Sequence, residues 1–267
     1  MWKMRSNRTK NNRNIKRLRK FFFSLLFFLL WATTAAAFDF SGWDLLIKKY
    51  VQPKTVDGIL INAVDYEQLK DDPGFKKLII DLSSVNLNSL KTREEKLVFW
   101  INTYNIFAAK MVTDHYPIKS IKNAGSIFSQ VWKKPAGLID GKEKTLNEIE
   151  HEILRKMDEP RIHVAIVCAS VSCPDLRLES YNVNNLNEQL DDQMRIFLRS
   201  SKKGMRIDRK SNRVYLSSIF KWFRDDFESK GGVLKFIGNY VPPKIAKELE
   251  RSGVKVSYLR YNWDLNN

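Results

Sequence analysis

The chain holds two cysteines and three histidines, so thiol or imidazole chemistry falls on few positions. Both cysteines lie in one segment, running from Arg161 through His163, Cys168, Ser170, Ser172 and Cys173 to Pro174. Arg161 to Cys168 is rich in β-branched residues and bounded by Pro160, which predicts a strand. Proline favours the first helical position, so Cys173 is expected beside a helix N-terminus, where the dipole favours a thiolate. Strand alternation puts His163 and Cys168 on opposite faces and pairs His163 with Cys173 instead. His151 is the other available base, with Arg155 one turn later on the same helical face. His115 reads as a residue at a helix C-terminus.

These residue types suit acyl transfer on an amide or ester. Cys173, or secondarily Cys168, attacks the carbonyl, and His163 or His151 accepts the proton. Asn102 or Glu95 orients the imidazole, and Ser172 or a backbone N–H stabilises the oxyanion. Asn105, Arg155, Arg161, Ser170 and Ser172 form the substrate-binding set. Two cysteines in an exported chain also suit a Cys168–Cys173 disulfide in a non-catalytic envelope binding module. In that reading Glu95, Asn102, Asn105 and Arg161 form a packed polar network. Thiol–disulfide exchange is a third reading, although Cys-x₄-Cys differs from the usual C-x-x-C spacing. A zinc site from His163, Cys168 and Cys173 lacks the close cysteine pairing such sites use, so no metal or other cofactor is expected.

A long helix must position part of this set. From about Arg93 to His115 the chain is apolar on nearly all faces, as a buried helix is. Glu95, Asn102 and Asn105 share one stripe of it. Buried amides without partners cost about 1–3 kcal/mol each, so these groups must meet partners as a structural network or a site. Thr145 and Glu148 have capping-box spacing, predicting a helix from Leu146 to about Met157 that carries His151. Further helices are expected over Trp43–Val51, Phe75–Leu82, Asn184–Ser200 and Ser218–Glu228, and around Pro242-Pro243. Hairpins are expected over Val131–Leu146 and Met205–Leu216, with a last strand near Val254–Leu259. Short strands joined by hairpins and helical excursions indicate an α+β fold in one domain, with a short, largely antiparallel sheet packed on the long buried helix.

The chain has 267 residues and a formal charge of +16. Nine of its 46 basic residues, and none of its 30 acidic ones, fall in residues 1–37. The remaining 37 basic against 30 acidic residues leave +7, spread among acids as in Lys70-Asp71-Asp72 and Arg224-Asp225-Asp226. A nucleic-acid surface would cluster its basic groups, so no nucleic-acid partner is expected. The basic run is followed by an apolar stretch, Phe21 to Trp31, and by Ala35-Ala36-Ala37, the layout of a signal peptide over residues 1–37. Residues 21–37 are short for a spanning helix, which makes an uncleaved anchor the second choice. Either way the rest of the chain is expected outside the cytoplasm, in a periplasm or the medium, acting on a small-molecule, peptide or envelope substrate.

Six blocks occur in order: FWINTYN (Phe99–Asn105), YPIKSI (Tyr116–Ile121), IEHEILR (Ile149–Arg155), RIHVAIVCASVSCP (Arg161–Pro174), LSSIFKWFRDDF (Leu216–Phe227) and YNWDLN (Tyr261–Asn266). Together they resemble the family called domain of unknown function 547 (DUF547). The resemblance implies a single domain over residues 43–267, of a kind found in bacterial exported proteins and in plant proteins behind a coiled coil. It brings no established reaction. It does direct attention to Glu95, Asn102, Asn105, His151, Arg155, Arg161, His163, Cys168, Ser170 and Cys173, which lie in or beside its blocks.

Overall fold

A computed structural model describes residues 38–125 and 130–267. The expected signal or anchor segment, residues 1–37, lies outside them. Among the described residues no helix is long and apolar enough to cross a membrane.

Helix α1 (Ser41–Tyr50) leads into a hairpin, β1 (Val51–Val56) and β2 (Ile59–Val64). The turn between them is Asp57-Gly58, both at positive φ, the backbone that a two-residue hairpin needs. After the one-turn helix α2 (Tyr66–Leu69) comes α3 (Pro73–Ser83), started by the Asp72 carboxylate accepting from the Gly74 and Phe75 amides. The long helix is α4 (Arg93–Thr113). Its capping box closes at both ends: Thr92 Oγ1 accepts from the Glu95 amide at 3.1 Å, and Glu95 Oε2 accepts from the Thr92 amide at 2.8 Å. From Leu97 onward almost every residue of α4 is buried, so the helix is the axis of the main core.

A second hairpin follows, β3 (Pro135–Ile139) and β4 (Lys142–Thr145), turning on Asp140-Gly141. Gly137 of β3 sits against the Phe107 ring of α4, leaving no room for a Cβ. The expected capping box is made: the Thr145 amide donates to Glu148 Oε2 at 2.8 Å and the Glu148 amide to Thr145 Oγ1 at 3.0 Å. The helix it opens is not a plain α-helix. Glu148–Leu154 is wound as a π-helical segment, closed by a 3₁₀ turn at Arg155–Met157.

The strand expected from Arg161 to Cys168 is absent. Ile162–Ala165 forms a single helical turn, α5, and the chain extends only from Ile166. The β-branched pattern is real, but no neighbouring strand offers it a ladder. Its backbone groups bond to the Asn105 side chain instead.

Helix α6 (Leu186–Arg199) packs on α5 and leads to a three-stranded sheet. In it β5 (Met205–Asp208) pairs antiparallel with β6 (Arg213–Leu216), and β6 pairs parallel with β7 (Lys255–Tyr258). Four short helices intervene: α7 (Ile219–Trp222), α8 (Asp225–Glu228), α9 (Val233–Gly238) and α10 (Pro243–Leu249). The architecture is α+β; among the described residues the strands are distributed over three small sheets, and all but one pairing is antiparallel. These last elements enclose a second core of their own, built on Phe197, Phe220 and Phe227.

Candidate active site

The two buried asparagines of α4 are backbone clamps. Asn102 Nδ2 donates to the Tyr181 carbonyl at 2.8 Å while its Oδ1 accepts from the Tyr181 amide at 2.9 Å. Asn105 does the same for the chain before the first cysteine: Nδ2 donates to the Ala165 carbonyl at 3.0 Å, and Oδ1 accepts from the Val167 amide at 2.8 Å. Each supplies the donor–acceptor pair that a neighbouring strand would otherwise give. Glu95, on the same stripe, is engaged only in the cap of α4 and stands away from the site.

Held by Asn105, the chain delivers Cys168 to the wall of a cavity of about 370 Å³. The next residue, Ala169, is in the left-handed region at φ 55°, unusual for a residue with a Cβ and costing about 1–3 kcal/mol. The C-terminal tail secures this turn. The Val171 amide donates to the Asp264 carbonyl at 2.9 Å, and the Asn262 amide donates to Ser172 Oγ at 2.8 Å. Ser172 is thereby a loop tie. No helix follows Pro174, so Cys173 is not at the helix N-terminus expected for it.

Both cysteines are free thiols, their sulfurs 3.0 Å apart. Both line the cavity; Cys168 is half-buried, whereas Cys173 is buried and accepts from the Cys168 amide at 2.9 Å. The Cys168 sulfur also lies 3.3 Å from Ser170 Oγ and 3.3 Å from the Tyr261 hydroxyl. Hydrogen bonding with Cys173, Ser170 and Tyr261 outweighs burial and holds the Cys168 thiol below its ordinary value. Burial pushes the Cys173 thiol well up, and the adjoining Cys168 adds to that. Cys168, not Cys173, is therefore the sulfur poised to ionise. Burial and the neighbouring Cys168 also hold the Tyr261 phenol protonated, so its hydroxyl remains a donor.

The imidazole of His163, on α5, is buried and stacked on Phe223 with ring centroids 3.9 Å apart. Its Nε2 lies 2.7 Å from Asp226 Oδ2, and its Nδ1 has no hydrogen-bond partner. Because a carboxylate only accepts, Nε2 carries the proton and Nδ1 keeps its lone pair in the neutral ring. Asp226, at the start of α8, is gripped from the other side by Arg155, with Nε to Oδ2 at 2.7 Å and Nη2 to Oδ1 at 2.6 Å. Burial raises the Asp226 carboxyl, but His163 and Arg155 more than offset it and hold it below the usual range. Burial lowers the His163 imidazole despite Asp226, which leaves a neutral base at neutral pH.

The π-helical segment brings two further titratable groups to the cavity wall. His151 Nδ1 accepts from Arg155 Nη1 at 2.9 Å, so the neutral ring carries its proton on Nε2. Burial, together with Arg155, keeps that imidazole below its ordinary value. Glu150 is buried, accepts from the Tyr104 hydroxyl at 3.2 Å and is pushed up to about 7 by burial. The cavity also meets an aromatic wall in which Trp222 stacks on Trp263 and Tyr261 abuts both.

Of the expected set, Cys168, Cys173, His163 and His151 meet at this cavity. Ser170 touches Cys168, while Arg155 reaches the site through Asp226 and His151. Arg161 is turned away, its guanidinium bonded to Glu159, Asp191 and Asn187, where it ties α5 to α6. Four important residues were not singled out from the sequence: Asp226, Tyr261, Glu150 and Tyr104. Among the described residues no group of three or more His, Cys, Asp or Glu side chains is arranged to hold a metal ion.

One family model matches residues 87–198, that of a protein of unknown function, DUF547. The DUF547 resemblance holds over that stretch. It spans α4, the π-helical segment, both cysteines and α6. Asp226 and Tyr261 lie beyond the DUF547 match, although both contact its residues. No curated protein and no solved structure matches the chain.

Proposed function

We propose that this DUF547 chain is a thiol-dependent hydrolase or acyltransferase acting on an amide or ester. The observation that carries the reading is a cavity whose wall holds both a readily ionised cysteine, Cys168, and a carboxylate-held imidazole, His163, with one unpartnered nitrogen. The Cys168 sulfur attacks the substrate carbonyl, and the proton it gives up is held on His163 Nδ1. Asp226 keeps the ring in the required tautomer and stabilises the imidazolium. The Tyr261 hydroxyl and the His151 Nε2–H are donors for the oxyanion. As the carbonyl reforms, the bond to the leaving group breaks and His163 returns the proton to that group. A water or an acceptor nucleophile then releases the acyl group from the sulfur, giving acid or transferred acyl product.

The tryptophan-lined mouth suits an acyl or leaving group with an apolar face. The reaction is placed outside the cytoplasm because residues 1–37 have the basic, apolar and small-residue order of an export signal. The test is incubation of the full chain with p-nitrophenyl acetate. Expected are a burst of p-nitrophenol and an acetyl group on Cys168, both lost in Cys168→Ala. An equal burst in Cys168→Ala defeats the proposal.

A further inference from the structure

The thiol pair holds more chemistry than acyl transfer requires. A single nucleophilic sulfur suffices for that reaction, yet a second thiol, Cys173, is held 3.0 Å away. A disulfide has sulfurs about 2.05 Å apart, so closure asks for an approach of only about 1 Å. The backbone between the two is already turned, with the Cys173 amide donating to the Ser170 carbonyl at 3.0 Å and Ala169 left-handed. The two sulfurs differ in access: both residues line the cavity, but Cys168 is half-buried and Cys173 is buried. An oxidant entering the cavity therefore has the Cys168 sulfur to meet first. Around that sulfur stand two hydroxyls, Ser170 and Tyr261, with Ser170 Oγ donating to the Tyr261 oxygen at 3.2 Å.

We propose that Cys168 and Cys173 form a dithiol centre that reduces small alkyl hydroperoxides, with Cys168 taking the oxygen and Cys173 resolving it. In the first step the Cys168 thiolate attacks the terminal peroxide oxygen. An S–O bond forms, the O–O bond breaks, and the alkoxide leaves as alcohol after taking a proton relayed through Tyr261 from water. The product on the protein is a Cys168 sulfenic acid. In the second step the Cys173 sulfur attacks the Cys168 sulfur, the S–O bond breaks, and hydroxide departs as water with the Cys173 proton. Two sulfurs are oxidised by two electrons and the hydroperoxide is reduced by two. A small dithiol restores the pair by exchange, becoming a cyclic disulfide itself. This activity uses Cys168 but stands apart from the acyl-transfer reading, since no carbonyl chemistry enters it.

The experiment treats the reduced, desalted full chain with tert-butyl hydroperoxide and follows peroxide loss and intact mass. Expected is one equivalent consumed per chain, at least about tenfold faster than by free cysteine at the same pH, with a loss of about two daltons. The disulfide maps to the Cys168–Cys173 peptide, and dithiothreitol restores the starting mass. Cys173→Ser is expected to stop at the sulfenic acid, a gain of about 16 Da captured by dimedone. Cys168→Ser is expected to lose the fast phase. Consumption no faster than free cysteine, overoxidation of the wild type without a disulfide, or a fast phase surviving in Cys168→Ser overturns the proposal. Peptide mapping of the wild type decides the matter even if a serine variant does not fold. Acetylation by p-nitrophenyl acetate, read on the same preparation, reports the acyl-transfer reading separately.

Discussion

His163 and Asp226 stand 63 residues apart in the chain and 2.7 Å apart in space, Nε2 to Oδ2. The same carboxylate takes two hydrogen bonds from Arg155, which in turn donates to His151. One carboxylate thus organises both cavity histidines, and its own position depends on the short helix α8. Asp226→Asn keeps the shape but gives the imidazole a mixed donor–acceptor partner. Turnover of p-nitrophenyl acetate is expected to fall by about 10²–10⁴-fold, with the acyl-accepting Cys168 still titratable by iodoacetamide. A loss of iodoacetamide reactivity in parallel would mean that the carboxylate supports the fold and not the base.

Cys168 owes its readiness to ionise to three hydrogen-bonding neighbours, Cys173, Ser170 and Tyr261. Alkylation by iodoacetamide is therefore expected to rise with pH and level off, with a midpoint below that of an ordinary cysteine, because only the thiolate reacts. Tyr261→Phe and Cys173→Ala each remove a donor to the thiolate, so both move that midpoint upward. Rate profiles of the three proteins against pH provide the check.

Glu150 titrates out of its ordinary range because burial raises it to about 7. A carboxyl raised on folding contributes stability that is complete below its unfolded value near 4.5 and is lost as pH rises through about 7. Relative to Glu150→Gln, which does not titrate, the wild type is expected to lose about 3 kcal/mol between about pH 4 and pH 8. Urea unfolding of both proteins at the two pH values measures it. A constant difference would place the Glu150 carboxyl in water.

Asn105 is the clamp behind the cysteine turn. Asn105→Ala leaves the Ala165 carbonyl and the Val167 amide buried without partners, at a cost of about 2–4 kcal/mol. Denaturant titration reads the loss. Thiol alkylation under native conditions is expected to move its pH midpoint up toward that of an ordinary cysteine as the turn loosens.

Local physics made much of the fold legible in advance. The α4 helix follows from its all-round apolar sequence, and the Thr145–Glu148 capping box follows from spacing alone, because both depend on residues a few positions apart. The Asp57-Gly58 turn of the β1–β2 hairpin rests on equally local physics, since both residues take positive φ. The strand expected at Arg161–Cys168 fails where that locality ends. A β-branched run becomes a strand only if another strand offers its backbone a ladder, and here Asn105 supplies those bonds from a helix.

At the cavity the division is sharper. Residue type alone confined the chemistry to two cysteines and three histidines, and it brought Cys168, Cys173, His163 and His151 forward as a set. Which cysteine ionises was decided by packing: Cys173 is the more buried of the two, and the Cys168 sulfur has Cys173, Ser170 and Tyr261 around it. The partner of His163 was out of reach for the same reason. Arg224-Asp225-Asp226 has the composition of a solvated charged patch, and only the approach of α8 to α5 separates Asp226 from its neighbours. Desolvation and long-range pairing depend on the whole fold, so they appear only in three dimensions.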